Sequence, residues 1–186
     1  MDLMDLLKKY FKNSSALEII LKHGRLVADK SLKIAVALAE QVDLKFVEEA
    51  ALLHDIGVSR VYAPSVHCFG NKPYICHGIE GRKILEAEGL SRHALVCERH
   101  IGVGLTSEEI RLQNLPLPPR DMVPLSLEEE IICFADLFYS KHPESLTVMK
   151  SREEIRASLQ KFGERKIAIF DGWYSRFSSP MPTLQQ

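Results

Sequence analysis

The sequence lacks several features that mark particular classes of protein. No stretch reaches the roughly 18 consecutive apolar residues that a membrane span needs. The formal net charge is only −1, so neither nucleic acid nor an anionic membrane is expected as a partner. The N-terminal stretch carries Asp2 and Asp5 and has no secretory pattern. We therefore expect a cytoplasmic protein.

Cysteine is also scarce, and its placement excludes the usual cysteine-based sites. The four cysteines form no CxxC pair and no zinc-knuckle spacing, and two of them stand in apolar stretches. They are Cys68, Cys76, Cys97 and Cys133. We expect reduced, buried thiols.

No convincing strand pattern is present, whereas apolar residues recur at helical spacing almost throughout. The 186 residues suit one domain with a substantial core. The fold class predicted is therefore an all-α, single-domain helical bundle. We divide it into an N-terminal helix (1–14), a main domain (15–145), C-terminal helices packed on that domain (146–178) and a disordered tail (179–186).

Several element boundaries can be predicted from capping and breaking residues. Helical segments are expected over Ala16 to Leu21 and from about Arg25 to Val42, with His23 between them. Segments 58–76 and 102–124 contain the glycines and prolines typical of long loops. Residues expected to cap or end helices are Asp43, Gly57, Gly89, Ser91, Ser126 with Glu129, and Ser151 with Glu154.

The strongest chemical signal is the motif LLHDIG at residues 52–57. His54 and Asp55 stand at the end of a core-facing apolar run, where a helix that relaxes its geometry can direct both side chains at one point. A neutral imidazole and a carboxylate are common ligands of Fe, Mn and Zn. The alternative is a histidine that only complements the helix dipole.

A second signal is Asp136, which lies within the apolar run IICFADLFY. A buried carboxylate is costly unless a cation or a strong donor accompanies it. A metal site and a structural salt bridge explain this position equally well.

A third signal is a set of histidines at predicted helix boundaries: His23, His77 and His100. Each alone is more often structural than a ligand. Together with His54, Asp55 and Asp136 they indicate a metal site, because helix ends can collect ligands at one mouth of a bundle.

The ordered set His23, His54–Asp55, His77, His100, Asp136 resembles the HD-domain superfamily of metal-dependent phosphohydrolases. LLHDIG corresponds to the signature of that superfamily and CFAD to its final aspartate, and the resemblance covers roughly residues 20–141. In size and ligand order the chain is similar to small bacterial and archaeal HDIG-type proteins, some of which split diadenosine tetraphosphate.

The resemblance implies a dinuclear centre with Asp55 and His77 as catalytic residues. His23, His54, Asp55 and Asp136 would hold one divalent ion, and Asp55 would bridge to a second ion completed by His77 and His100. The ions would be Fe or Mn, with Zn, Ni, Co and Mg as further options. A metal-bridged hydroxide would then cleave a phosphate ester or anhydride, as in other two-metal hydrolases.

Phosphoryl transfer requires cations that neutralise charge on the substrate. The basic residues that we take as candidate substrate contacts are Arg60, Arg82, Arg99, Arg120 and Lys141. Arg82 and Lys141 are the preferred contacts of a small phosphate substrate, which we expect to be a nucleotide.

Two alternative functions stay open. The same six ligands could hold a mixed-valent di-iron centre of an HD-type oxygenase, or the fold could be a non-catalytic module that senses a nucleotide. The amphipathic first helix could also serve a homodimer interface.

Overall fold

The computed structural model describes residues 2–38 and 42–178 and is predominantly helical over them. The expectation of an all-α fold is thereby confirmed. The tail 179–186 and the part of the predicted second segment at 39–41 lie outside the described residues. The α-helices in chain order are α1 (Leu3–Tyr10), α2 (Ser14–Ala37), α3 (Leu44–Leu53), α4 (His77–Ala87), α5 (Ser91–Arg99), α6 (Ser107–Leu112), α7 (Leu127–Asp136), α8 (Arg152–Leu159) and α9 (Glu164–Phe177).

The predicted break near His23 is wrong, because α2 runs without interruption past this residue. Gly24 does not end the helix. A Cβ at Gly24 would lie 3.1 Å from the carbonyl oxygen of Leu52. The glycine therefore permits a close approach of α2 to α3, which brings His23 to the end of α3.

The end of α3 also differs from the expectation. Asp43 caps the helix as predicted, since its side chain accepts from the amide of Phe46. Gly57, however, has no positive φ and lies in a 3-10 helix over Ile56–Arg60. A Cβ at Gly57 would lie 2.0 Å from the carbonyl oxygen of His77. The residue is required by close packing on α4, and it does not end a helix in the left-handed region.

The two segments predicted to be irregular contain short elements. The first holds a small antiparallel hairpin, β1 (Tyr62–Ala63) with β2 (Cys68–Phe69), between 3-10 helices. The second holds α6, whose capping box of Thr106 and Glu109 the sequence analysis did not recognise.

The other predicted caps divide into three outcomes. Gly89 adopts a positive φ of 77° after α4, and Ser151 with Glu154 forms a complete capping box on α8. Ser126 caps α7, but the carboxylate of Glu129 accepts from the amide of Leu125 instead of closing the box. Ser91 makes no side-chain capping bond, because it is the first residue of α5 and Leu90 occupies the cap position.

The buried apolar side chains form two clusters on either side of the α2–α3 pair. One cluster joins α1, α4 and α5, and includes Leu7 and Ile84. The other joins α2, α3 and α7 to the C-terminal helices, where Phe134 stacks on Phe170. All four cysteines are free and buried, as expected.

Candidate metal centre

Six polar side chains from five helices converge between the two apolar clusters. Five of them stand at helix ends. His54 and Asp55 follow α3, His77 opens α4, His100 follows α5 and Asp136 ends α7. His23 projects from the interior of α2. All six residues predicted as metal ligands are therefore brought together.

Asp55 lies at the centre of this group, within 4 Å of all four histidines. Its Oδ2 is 3.1 Å from His54 Nε2 and 3.3 Å from His23 Nε2. Its Oδ1 is 3.4 Å from His100 Nε2 and 3.6 Å from His77 Nε2. Asp136 joins His23 and His54, with its Oδ1 2.9 Å from His23 Nε2 and 3.4 Å from His54 Nε2. We call these three residues, with Oδ2 of Asp55, the first half of the centre, and His77 and His100, with Oδ1 of Asp55, the second half. Asp55 thus faces two separate sets of ligand atoms.

Backbone carbonyl groups orient three of the imidazoles. The Nδ1 atoms of His54, His77 and His100 donate to the carbonyl oxygens three residues earlier, at 2.6, 2.7 and 2.8 Å. This contact places a proton on Nδ1 and directs Nε2 at the centre.

The polar atoms at the centre fit a metal ion. Among the described residues, both carboxylate oxygens of Asp55 and Nε2 of His54 are buried without a hydrogen bond of good geometry. The Nε2 atoms of His77 and His100 lie only 3.1 Å apart. Two lone pairs at that distance repel each other unless a cation or a proton lies between them. Three groups could each hold an ion: His23–His54–Asp55, His54–His100–Asp136 and Asp55–His77–His100.

The electrostatics of the site favour deprotonated carboxylates. Burial alone would raise the pKa of Asp55, but His54 and Lys141 hold that pKa well below its usual range. Burial likewise opposes ionisation of Asp136, and Lys141 and His23 lower the pKa of its carboxyl.

Two histidines of the site have pKa values shifted in opposite directions. Burial, and then the neighbouring His100, lower the pKa of His77 to about 3, so its imidazole is neutral at pH 7. Burial also disfavours protonation of His54, yet Asp55 and Asp136 raise the pKa of His54 to about 10. The first half of the centre therefore attracts positive charge.

Comparison with known proteins identifies the family. A model of the HD domain matches residues 20–140, which include all six clustered residues. The chain belongs to the HD domain family. An uncharacterized protein of Methanocaldococcus jannaschii is 36% identical over 143 residues, covering 74% of this chain and 77% of the relative.

Two further relatives of this HD-domain protein carry the name tRNA (cytidine(56)-2'-O)-methyltransferase. The one from Thermoplasma volcanium is 36% identical over 138 residues, and the one from Picrophilus torridus 35% over 128 residues. The alignments cover 74% and 67% of the chain but only 35% and 33% of those relatives.

A solved structure confirms the HD-domain fold. The HD domain of the L. monocytogenes phosphodiesterase PgpH, crystallised with cyclic-di-AMP, matches with a TM-score of 0.55 over 97% of this chain and 90% of that domain. The sequences are 14% identical.

Of the five predicted substrate contacts in this HD-domain protein, Lys141 is the one that touches the cluster in the described part of the chain. Its ammonium lies 2.8 Å from Asp55 Oδ2. Although burial opposes it, the charges of Asp55, Tyr74 and Asp136 raise the pKa of Lys141 well above its ordinary value.

The four predicted arginines bind glutamates of the scaffold instead. Arg99 donates to Glu129 at 2.8 Å, and Arg60 lies 3.6 Å from Glu80. Arg82 and Arg120 both pair with the buried Glu98, and Arg82 also donates to Glu86. Their guanidinium groups thus already have anionic partners.

Tyr74 is a residue of the site that the sequence analysis missed. Its ring packs on that of His77 with the centroids 4.7 Å apart, and its carbonyl oxygen accepts from His77 Nδ1. Tyr74 and Lys141 also line one cavity at the surface, together with Tyr62, Ser140 and His142. The only available signal was an aromatic residue three positions before a predicted ligand. We name the cavity lined by Tyr74 and Lys141 the mouth of the site.

The structure adds one finding on membranes. No described helix combines the length and apolar character that a transmembrane span requires.

Proposed function

We propose that this HD-domain protein is a metal-dependent phosphohydrolase that cleaves a phosphate ester or anhydride of a nucleotide. The observation that carries the proposal is the convergence of four imidazoles on a carboxylate, Asp55, whose two buried oxygens lack well-oriented donors. Buried polar atoms of this kind require an explanation, and an ion accounts for all of them together.

Two ions fit better than one, because the ligand atoms fall on both sides of Asp55. His23, His54 and Asp136 would complete a site on Oδ2, and His77 with His100 a site on Oδ1. When bound, such a pair of ions activates a water and clamps a phosphoryl oxygen. Fe and Mn suit this mixture of nitrogen and oxygen ligands, with Zn, Ni, Co and Mg as alternatives.

The side chains around the ions would orient the reaction. The two carboxylate oxygens of Asp55 each face one half of the centre, and we assign Asp55 as a catalytic residue. His77 keeps its neutral form, so its Nε2 is available in the second half. Tyr74 holds the ring of His77 by stacking and through its carbonyl oxygen.

The mouth supports an anionic substrate with an aromatic part. Lys141 would donate to a phosphoryl oxygen, since its ammonium lies beside the cluster. Tyr62 and Tyr74 offer ring surface to a nucleobase in the same cavity, whose volume is about 420 Å³. That PgpH is a phosphodiesterase with cyclic-di-AMP bound supports a nucleotide.

The methyltransferase names support no part of this proposal, because the chain spans about a third of those relatives. The four arginines stay predicted substrate contacts of lower rank than Lys141, since each would have to leave a glutamate to reach phosphate.

The proposal is tested on a panel of nucleotides and simple phosphate monoesters and diesters, with Mn²⁺ or Fe²⁺ added to the full chain, by measuring both phosphate release and nucleotide products. We expect metal-dependent hydrolysis that His77→Ala abolishes. His67→Asn is the matched control, because His67 lies outside the cluster and its φ of 56° suits asparagine. Metal-loaded protein that forms no hydrolysis product from any substrate of the panel would refute hydrolysis. Equal loss in the two variants would refute the assigned role of His77.

A further inference from the structure

A second cavity lies away from the mouth, between the loop after His100 and the C-terminal helices. Its volume is about 270 Å³, close to the lower end of ligand pockets, which is about 300 Å³. Its walls are mostly apolar and include Ile75, Ile101, Leu105, Leu115, Leu159 and Phe162. We name this space the ring cavity.

A partly buried ion pair between Lys166 and Glu109 lies at the edge of the ring cavity. Lys166 donates to the carbonyl oxygen of Gly104 at 2.6 Å and to Glu109 Oε2 at 2.7 Å. Gly104 has a φ of 90°, and a Cβ there would lie 2.8 Å from the Cα of Val123. These contacts fix the loop, α6 and α9 around the space.

One wall carries two polar groups one helical turn apart. Glu109 and Gln113 line the cavity from α6 and its C-cap. Oε2 of Glu109 accepts from Thr106 and Lys166. Within the described residues Oε1 has no protein donor, and the side-chain amide of the exposed Gln113 has no protein partner either.

These features define the chemistry of an occupant. Apolar walls favour a flat, uncharged ring. Because Lys166 already compensates the charge of Glu109, Oε1 can accept from a neutral N–H donor, and the amide of Gln113 offers both a donor and an acceptor. A phosphate group would lose its water against apolar walls without gaining a free cation, because Lys166 is already paired with Glu109.

We propose that the ring cavity is a binding site for an amino-substituted heteroaromatic ring, such as an amino-bearing nucleobase, with its amino group donating to Glu109. The site is separate from the mouth and does not depend on metal. An occupant would contact Ile75 and Ile101, which stand close in sequence to His77 and His100.

The test is calorimetric titration of the full chain, with and without Mn²⁺, using adenine and unsubstituted purine as probes. Purine has the same ring system but lacks the amino group. We expect adenine to bind at least about fivefold more tightly, the value of one neutral hydrogen bond. The affinity of each probe should be the same in the presence and absence of metal.

Variants locate the binding. Gln113→Ala and Phe162→Ala should weaken adenine binding, whereas Leu112→Ala should not, because Leu112 is 79% exposed on the same helix and does not line the cavity. Glu109→Leu, which leaves no acceptor at this position, should remove the preference for adenine over purine. Tyr62→Ala, which removes ring surface from the mouth, should leave adenine binding unchanged.

Three results would overturn the proposal. Absence of adenine binding at about 5 mM would exclude a useful site. Equal affinity for the two purines would exclude the role of Glu109. Loss of binding in Tyr62→Ala would place adenine in the mouth, which would leave the proposed hydrolase intact while removing the ring cavity as a site.

Discussion

Single residues decide the charge balance of the metal centre. Asp55 and Asp136 bring two carboxylates into a region where His23, His54 and Asp55 are almost fully buried. Lys141 is a third charged group beside them, and its side chain is 15% exposed. An ammonium at this position attracts a substrate anion but repels a metal cation.

Replacing Lys141 by methionine should therefore change two properties in opposite directions. We expect KM for a phosphate ester to rise by about tenfold or more, since a charge-assisted contact is lost. The affinity for Mn²⁺ should increase, because a positive charge beside Asp55 is removed. Steady-state kinetics and a metal titration measure the two effects.

Lys150→Met is the matched control for this substitution, because Lys150 follows in the same region without contacting the cluster in the described residues. Unchanged KM in Lys141→Met, or weaker metal binding, would contradict the assigned position of the ammonium.

The residue types of the site could be predicted from the sequence, but their contacts could not. A histidine or aspartate at the end of an apolar run is visible in the letters, as His54 and Asp136 were. The orientation of an arginine is not, because its partner can be distant. Arg120 pairs with Glu98, and only the fold brings the two together.

At the scale of elements, two glycines set how closely helices approach around the centre. Gly24 lets α2 lie against the end of α3, and Gly57 lets the 3-10 helix after α3 lie against α4. Sequence reasoning took a glycine near a predicted ligand for a helix end. A glycine that permits close packing and a glycine that ends a helix look the same in the sequence. Only the neighbouring atoms in the structure distinguish them.

Gly57→Ala should destabilise the protein by about 2 kcal/mol or more, since its Cβ would collide with backbone atoms of His77 and Gly81. Because His77 opens α4, the same substitution should weaken metal binding. The free energy of unfolding in urea measures the first effect.

Gly172→Ala is the control for that experiment. Gly172 lies within α9, and nothing lies within 4 Å of an added Cβ. Alanine there should stabilise the helix by about 0.5–1 kcal/mol. Similar effects of the two substitutions would show that backbone contact at Gly57 is unimportant.

At the scale of the whole molecule, the C-terminal helices complete an apolar cluster that includes α7. Phe134 of α7 contacts Phe170, Tyr174 and Phe177 of α9. The helical character of this region could be predicted from apolar spacing. The surface that this region covers could not be predicted, since it depends on the path of the chain after α7. The boundary between the main domain (15–145) and the C-terminal helices (146–178) stays a prediction.

The single tryptophan provides a test of cooperativity. Trp173 is 7% exposed in the cluster shared by α7 and α9. We expect its fluorescence and the far-ultraviolet circular dichroism to change at the same denaturant concentration, because α9 packs in the same apolar cluster as α2, α3 and α7. An earlier fluorescence transition would show that the C-terminal helices unfold separately.

The most direct test of the central claim is the metal content per chain. We expect about two ions in protein prepared with Mn or Fe, as in a dinuclear site. Loss of one ligand from either half, in His23→Ala or His77→Ala, should lower that content, while His67→Asn should retain it. Protein that folds fully but binds no metal, or that keeps its full content in both ligand variants, would contradict a metal centre built around Asp55.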